Sequence, residues 1–102
     1  MSKFKFELPA PLDSNTVYGK VKSFLSGEND FKKFDPKVTC TFDESTKTCV
    51  VNGSQFSANM QIVPKDSSAC QIIVEVELPI AFALFKGKIQ ETLEKNLNKL
   101  LM

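Results

Sequence analysis

Polar and apolar residues keep two different rhythms along the chain, and each change of rhythm marks a new element. Lys3 to Leu8 alternates Phe4, Phe6 and Leu8 with Lys3, Lys5 and Glu7, the period of two that gives a strand one buried face. Pro9 and Pro11 are expected to end it. Asp13 or Ser14 then caps a helix, because Val17, Tyr18, Val21, Phe24 and Leu25 fall on one stripe at the helical period. Gly27 stands where a left-handed residue commonly closes a helix. Between Glu28 and Pro36 the apolar residues are Phe31 and Phe34, three apart. That spacing predicts a loop with one short helical turn that tucks both rings under the first helix.

From Lys37 four alternating segments follow. Their apolar positions are Val38, Cys40 and Phe42; Cys49 and Val51; Phe56, Ala58, Met60 and Ile62; and Cys70, Ile72, Val74, Val76 and Leu78. Parity constrains the turns, since a slip of one residue would carry every buried side chain to solvent. A two-residue type I′ loop at Asn52-Gly53 sets Cys49 opposite Phe56, and the turn between Pro64 and Ser68 sets Ile62 opposite Cys70 and Met60 opposite Ile72. For the first hairpin two registers stand: a tight loop at Glu44-Ser45 sets Cys40 opposite Cys49, and a four-residue loop sets Phe42 opposite Cys49. The other parity is mostly polar, with Thr39, Thr41, Asn59, Gln61, Glu75 and Glu77 among its members, so helices cover one face only.

The last segment repeats Phe82, Phe85, Ile89, Leu93, Leu97 and Leu100 at three and four, a long helix with an inward stripe. The order β-α-β-β-β-β-α predicts a single α+β domain over residues 1–102. It has two layers: an antiparallel sheet of about five strands, one face covered by the long C-terminal helix and the shorter N-terminal helix. The first strand is placed beside the last, which lets the first helix cross to the far edge.

Composition narrows the chemistry. The 102 residues are 42% hydrophobic and 25% charged with a net charge of +1, enough to bury about two thirds of the unfolded surface without disulfides or metal. There is no histidine and no tryptophan, which removes histidine acid–base catalysis, Ser-His-Asp and Cys-His nucleophiles and imidazole-dependent zinc sites. No catalytic residue, cofactor or metal ligand is expected, and the protein is read as not an enzyme. Cys40, Cys49 and Cys70 lack paired short spacing and read as reduced, buried thiols. Lysines are spread rather than clustered, which disfavours nucleic acid. No run approaches the roughly 18 apolar residues of a membrane span, and the start lacks a signal-peptide core; a cytoplasmic location without a transmembrane segment is expected. Asn52-Gly53-Ser54 reads as a turn rather than a glycosylation site, and Tyr18 as a boundary residue whose hydroxyl reaches water.

One feature exceeds what a core requires. Pro79 to Phe85 reads Pro-Ile-Ala-Phe-Ala-Leu-Phe, apolar on all sides where a helix on a sheet needs one stripe. The Phe31 and Phe34 loop could cover the far side, or a partner, a second copy of the chain in a homodimer, or an apolar surface. Ile80, Leu84 and Phe85, with Phe31 and Phe34, are therefore the candidate interaction surface. Gly87, just beyond, marks either close packing on the sheet or a bend.

The second half of the chain also resembles a known family. Val50-Val51-Asn52-Gly53, Phe56-Ser57-Ala58-Asn59-Met60, Val74-Glu75-Val76-Glu77-Leu78, Phe85-Lys86-Gly87-Lys88-Ile89 and the Leu-rich end are similar to the polyhydroxyalkanoic acid system proteins, small cytoplasmic proteins encoded near polyester storage genes. The element order is similar to a shortened helix-grip fold, as in lipid-transfer and polyketide-cyclase domains. The resemblance implies a non-catalytic interaction protein at storage granules or at another hydrophobic surface or protein partner. The alternative function is a small carrier that holds an apolar ligand between the sheet and the C-terminal helix, as helix-grip domains do.

Overall fold

The computed structural model describes residues 2–27, 37–54 and 56–101. The alternating segments form β1 (Ser2–Ala10), β2 (Thr39–Asp43), β3 (Thr48–Asn52), β4 (Ser57–Asp66) and β5 (Ala69–Leu78), and the helical ones form α1 (Ser14–Ser26) and α2 (Lys86–Leu100), the latter entered through a 3-10 segment at Ile80–Phe85. The sheet order is β1-β5-β4-β3-β2, antiparallel throughout. The first strand thus lies beside the last, and the connection through α1 crosses to the opposite edge.

Asp13 caps α1: its carboxylate accepts from Thr16 N at 3.0 Å and from Thr16 Oγ1 at 2.6 Å, satisfying a helix N–H that has no partner within the helix. At the other end Gly27 is extended, with φ −96° and ψ −167°, not left-handed as expected. Its N–H closes a three-residue turn on the Phe24 carbonyl at 3.4 Å. β1 runs through Pro9 to Ala10 instead of ending at Leu8; as an edge strand it tolerates the missing proline N–H.

All three hairpin loops differ from the tightest solution. β2 and β3 pair Phe42 with Cys49 and Cys40 with Val51, the four-residue alternative. Asp43 Oδ1 builds that loop by accepting from Ser45 N at 3.0 Å, Ser45 Oγ at 2.7 Å and Thr46 N at 3.3 Å, and Lys47 completes it at φ 52°, a left-handed conformation uncommon outside glycine. β3 and β4 pair Asn52 with Ser57 and Cys49 with Met60, so Asn52-Gly53 is not a type I′ loop. Gly53 N donates to Phe56 O at 2.8 Å, and Phe56 turns into the core, 6% exposed, instead of pairing with Cys49. β4 and β5 pair Ile62 with Ile72 and Met60 with Val74, again further along than expected. There β4 continues past Pro64 and turns after Asp66, whose Oδ1 accepts from Ser68 N at 2.8 Å. Pro64 stands beyond the Thr48 to Gln61 pair that closes the β3–β4 ladder at the start of β3, where β4 has a strand on one side only. Apart from a bulge between Pro64 and Asp66 at the end of β4, every shift is an even number of residues, so each inward side chain keeps its face.

The inward rows are Phe4-Val76-Ala58-Val51-Cys40, then Phe6-Val74-Met60-Cys49-Phe42, then Leu8-Ile72-Ile62. Val17, Tyr18, Val21 and Leu25 of α1 and Leu93, Leu97 and Leu101 at the C-terminal end pack into the same core. Phe85 leaves the inward stripe and is 53% exposed. The change from 3-10 to α winding at Lys86 rotates the stripe, so Phe82 and Ile89 face the core and Phe85 leans on Phe82 from outside, ring centroids 6.2 Å apart. Leu101 in turn takes the innermost place at the end, where Leu100 is half-buried. Gly87 has nothing within 4 Å of where a Cβ would be. Close packing on the sheet therefore does not explain it.

Candidate functional site

Two places follow from this packing: the interior between sheet and helices, and the 3-10 segment outside it. In the interior, α1 lies against β2, β3, β4 and β5, whereas the approaches of α2 are chiefly to β1, to α1 and to the 3-10 segment. α2 is anchored by its second half, through Leu93 and Leu97. Nearer its start Ile89 is half-buried, as are Phe82 of the 3-10 segment and Phe4 of β1. The grip of α2 on the sheet is thus tight at one end and looser at the other.

The chemistry of this interior is apolar with a few weak acids. Cys49 is fully buried; burial, and secondarily the neighbouring Cys40 thiol, push its pKa up to about 11, against a lowering by Lys22. Burial also raises Cys70, with Asp13 contributing. Both thiols are held neutral and unreactive. Cys40 is half-buried with Sγ 3.6 Å from the Leu25 carbonyl, so the expectation of fully buried thiols holds for two of the three. None is in a disulfide.

Tyr18 departs from expectation. Only 7% of it is exposed, and its hydroxyl is shielded from water without a hydrogen-bond partner among the described residues. Desolvation, then the nearby Cys49, raise its pKa. Close by, one turn along α1, Lys22 lies over the Phe42 ring, 5.7 Å from its centroid, and reaches Glu44 at 3.2 Å, where α1 meets the β2–β3 turn. A lone tyrosine among apolar positions does not reveal its burial in a sequence, because the groups acting on it include Cys49 and Glu44 from other parts of the chain.

The 3-10 segment carries the largest exposed apolar side chains among the described residues: Ile80 at 74%, Leu84 at 95% and Phe85 at 53%. These three candidates share one short segment. Phe31 and Phe34 lie outside the described residues. A further feature was not foreseen: on the outer face Lys3, Asn52, Ser57, Asn59, Glu75 and Glu77 border a shallow polar groove of about 180 Å³, with Lys3 Nζ 3.0 Å from Glu75 Oε1. Its residues were legible only as a solvated face, since concavity comes from sheet twist. Among the described residues no group of three or more His, Cys, Asp or Glu is arranged to hold a metal, and no helix is long and apolar enough to cross a membrane.

No family model and no curated protein matches the chain. Solved structures do. A START superfamily protein from Mycobacterium smegmatis matches with a TM-score of 0.63 at 12% identity, over 97% of this chain and 96% of that one. The Zhui aromatase/cyclase from Streptomyces sp. R1128 matches with 0.64 at 7% identity, over 98% and 91%. The di-domain aromatase/cyclase BexL of the BE-7585A biosynthetic pathway matches with 0.65 at 8% identity; this chain is covered over 99% and spans 44% of that protein. The fold is helix-grip-like. At such identities the likeness shows the fold alone.

Proposed function

We propose that the protein is a small non-catalytic carrier that holds an apolar molecule between the helix-covered sheet face and α2. The observation that carries this reading is the uneven grip: α2 is fixed through Leu93, Leu97 and Leu101, while Ile89 near its start and Phe82 of the segment before it are only half-buried. A ligand entering there meets apolar side chains throughout, and the interior thiols are held neutral by burial, which favours binding over proton transfer. The helix-grip outline supports the same reading, because such domains hold apolar ligands in this place. Native mass spectrometry of freshly purified protein tests it, with expected added mass of a lipid-like molecule that organic extraction removes and re-addition restores. Protein that carries no such mass, and whose melting temperature a panel of fatty acids and aromatic polycycles leaves unmoved, would sink the carrier.

A second reading is favoured by a separate observation, the exposure of Ile80, Leu84 and Phe85. In it the same cytoplasmic protein attaches through the 3-10 segment to a hydrophobic surface or partner, as the resemblance to storage-granule proteins implies. Co-sedimentation with polyester particles and the hydrodynamic mass test it, the latter exposing a homodimer.

A further inference from the structure

The 3-10 segment is six residues long, about 12 Å at the rise of such a helix. Its exposed side chains are Ile80, Leu84 and Phe85, and Phe82, packed inward with its ring 6.2 Å from that of Phe85, fixes the segment to the core. Along the chain, no acidic residue occurs between Leu78 and Gln90, with Glu77 and Glu91 standing just outside, and Lys86 and Lys88 follow the apolar run directly. A short exposed apolar segment followed directly by two lysines suits one kind of occupant. Burying large hydrophobic side chains by several ångströms at the acyl boundary, with lysines left at phosphate level, is how monotopic segments meet an anionic bilayer.

Other occupants fit less well. In a two-fold contact with a second copy, Lys86 and Lys88 would approach their own counterparts, and three apolar residues fall far short of the roughly 20–30 a side of a stable interface. A groove that takes a helix reads anchors over two turns or more, and this segment changes winding after six residues.

We propose that Ile80, Leu84 and Phe85, with Lys86 and Lys88, form a docking tip for the surface of an anionic lipid bilayer. The proposal rests on the second reading above and names the surface. It does not depend on the carrier.

Flotation of the whole protein with neutral phosphatidylcholine vesicles, with vesicles containing phosphatidylserine, and with uncharged polyester beads tests it. Binding to the phosphatidylserine vesicles, weakened by salt, is expected. Leu84→Asp lowers that binding about tenfold or more, and its melting temperature stays put because the residue is 95% exposed. Lys86→Glu with Lys88→Glu abolishes the preference for phosphatidylserine over neutral vesicles, each lysine counting for about fivefold. Equal binding to both vesicle types, or phosphatidylserine binding that Leu84→Asp leaves intact, overturns the proposal. Binding to beads but to neither vesicle overturns it and leaves surface attachment standing; binding to none of the three removes both. A dimer in solution that Leu84→Asp dissociates also overturns it, assigning the tip to a second copy.

Discussion

Leu97→Ala measures how far α2 holds the fold together. Leu97 is 1% exposed and lies in the half of α2 that anchors it, so the substitution removes buried methyl groups and leaves a cavity between helix and sheet. Transfer of the lost side-chain surface contributes about 1.5–3 kcal/mol, and the unfilled space raises the total to about 2–5 kcal/mol. Against the roughly 5–15 kcal/mol that holds a domain of this size, that is a large fraction, and it lowers the melting temperature by about 4–8 °C for each kcal/mol. Leu84→Ala supplies the internal control: the same residue type on the same helical run, but 95% exposed, should cost no more than about 0.5 kcal/mol. Urea unfolding of both variants, followed by far-ultraviolet circular dichroism, gives the two numbers side by side. If Leu97→Ala costs under about 1 kcal/mol, or if Leu84→Ala costs as much, α2 is not seated through its second half and the uneven grip is wrong.

Three further outcomes are expected. A maleimide should label Cys40 in the native protein well before Cys49 and Cys70, which are 0% and 1% exposed; equal rates, followed by mass spectrometry of peptides, would contradict the burial. Because the folded-state pKa of Cys49 is raised from 9.0 to about 11, the unfolded chain loses its proton first. Stability is therefore intact below pH 9 and falls as pH rises towards about 11, by about 2–3 kcal/mol from this thiol alone; Cys49→Ala should flatten that part of the curve, and an unchanged slope would show that other groups cause it. Tyr18→Phe removes a buried hydroxyl that has no hydrogen-bond partner among the described residues, so the melting temperature should hold or rise. A fall as deep as that of Leu97→Ala would mean the hydroxyl is bonded in solution.

How much of this was legible in the sequence follows from what periodicity encodes. Alternation fixes which side of a strand is apolar, and that survived everywhere: Cys49, Met60, Val74 and Phe6 form one inward row as their parity requires. Alternation says nothing about shifts by two or four. At Asn52-Gly53 the strongest short-range turn signal lost to the burial of Phe56, and at Pro64 the apparent strand end lost to Asp66, whose side chain builds the turn two residues later. Phe85 was assigned inward on an α-helical spacing that does not hold through a 3-10 segment. The candidate tip was legible for the opposite reason, since apolarity on all sides is independent of winding.

The two functional readings are linked by where α2 begins. The 3-10 segment joins the end of β5 to α2, and its inward residue Phe82 lies with Ile89 along the loosely held start of the helix. Its outward residues are the exposed Ile80, Leu84 and Phe85. Anything that draws the outward residues into an apolar phase pulls on the same short segment that carries Phe82, while Leu93 and Leu97 keep the far half of the helix in place. Under the two proposals taken together, the carrier opens at the surface from which it loads. The two readings then predict one correlated result that neither predicts alone: vesicles that bind the tip should speed the exchange of an apolar fluorophore into the protein, and Leu84→Asp should remove that acceleration while leaving slow exchange without vesicles unchanged. Exchange equally fast with and without vesicles would separate the readings, leaving the tip and the grip as independent devices.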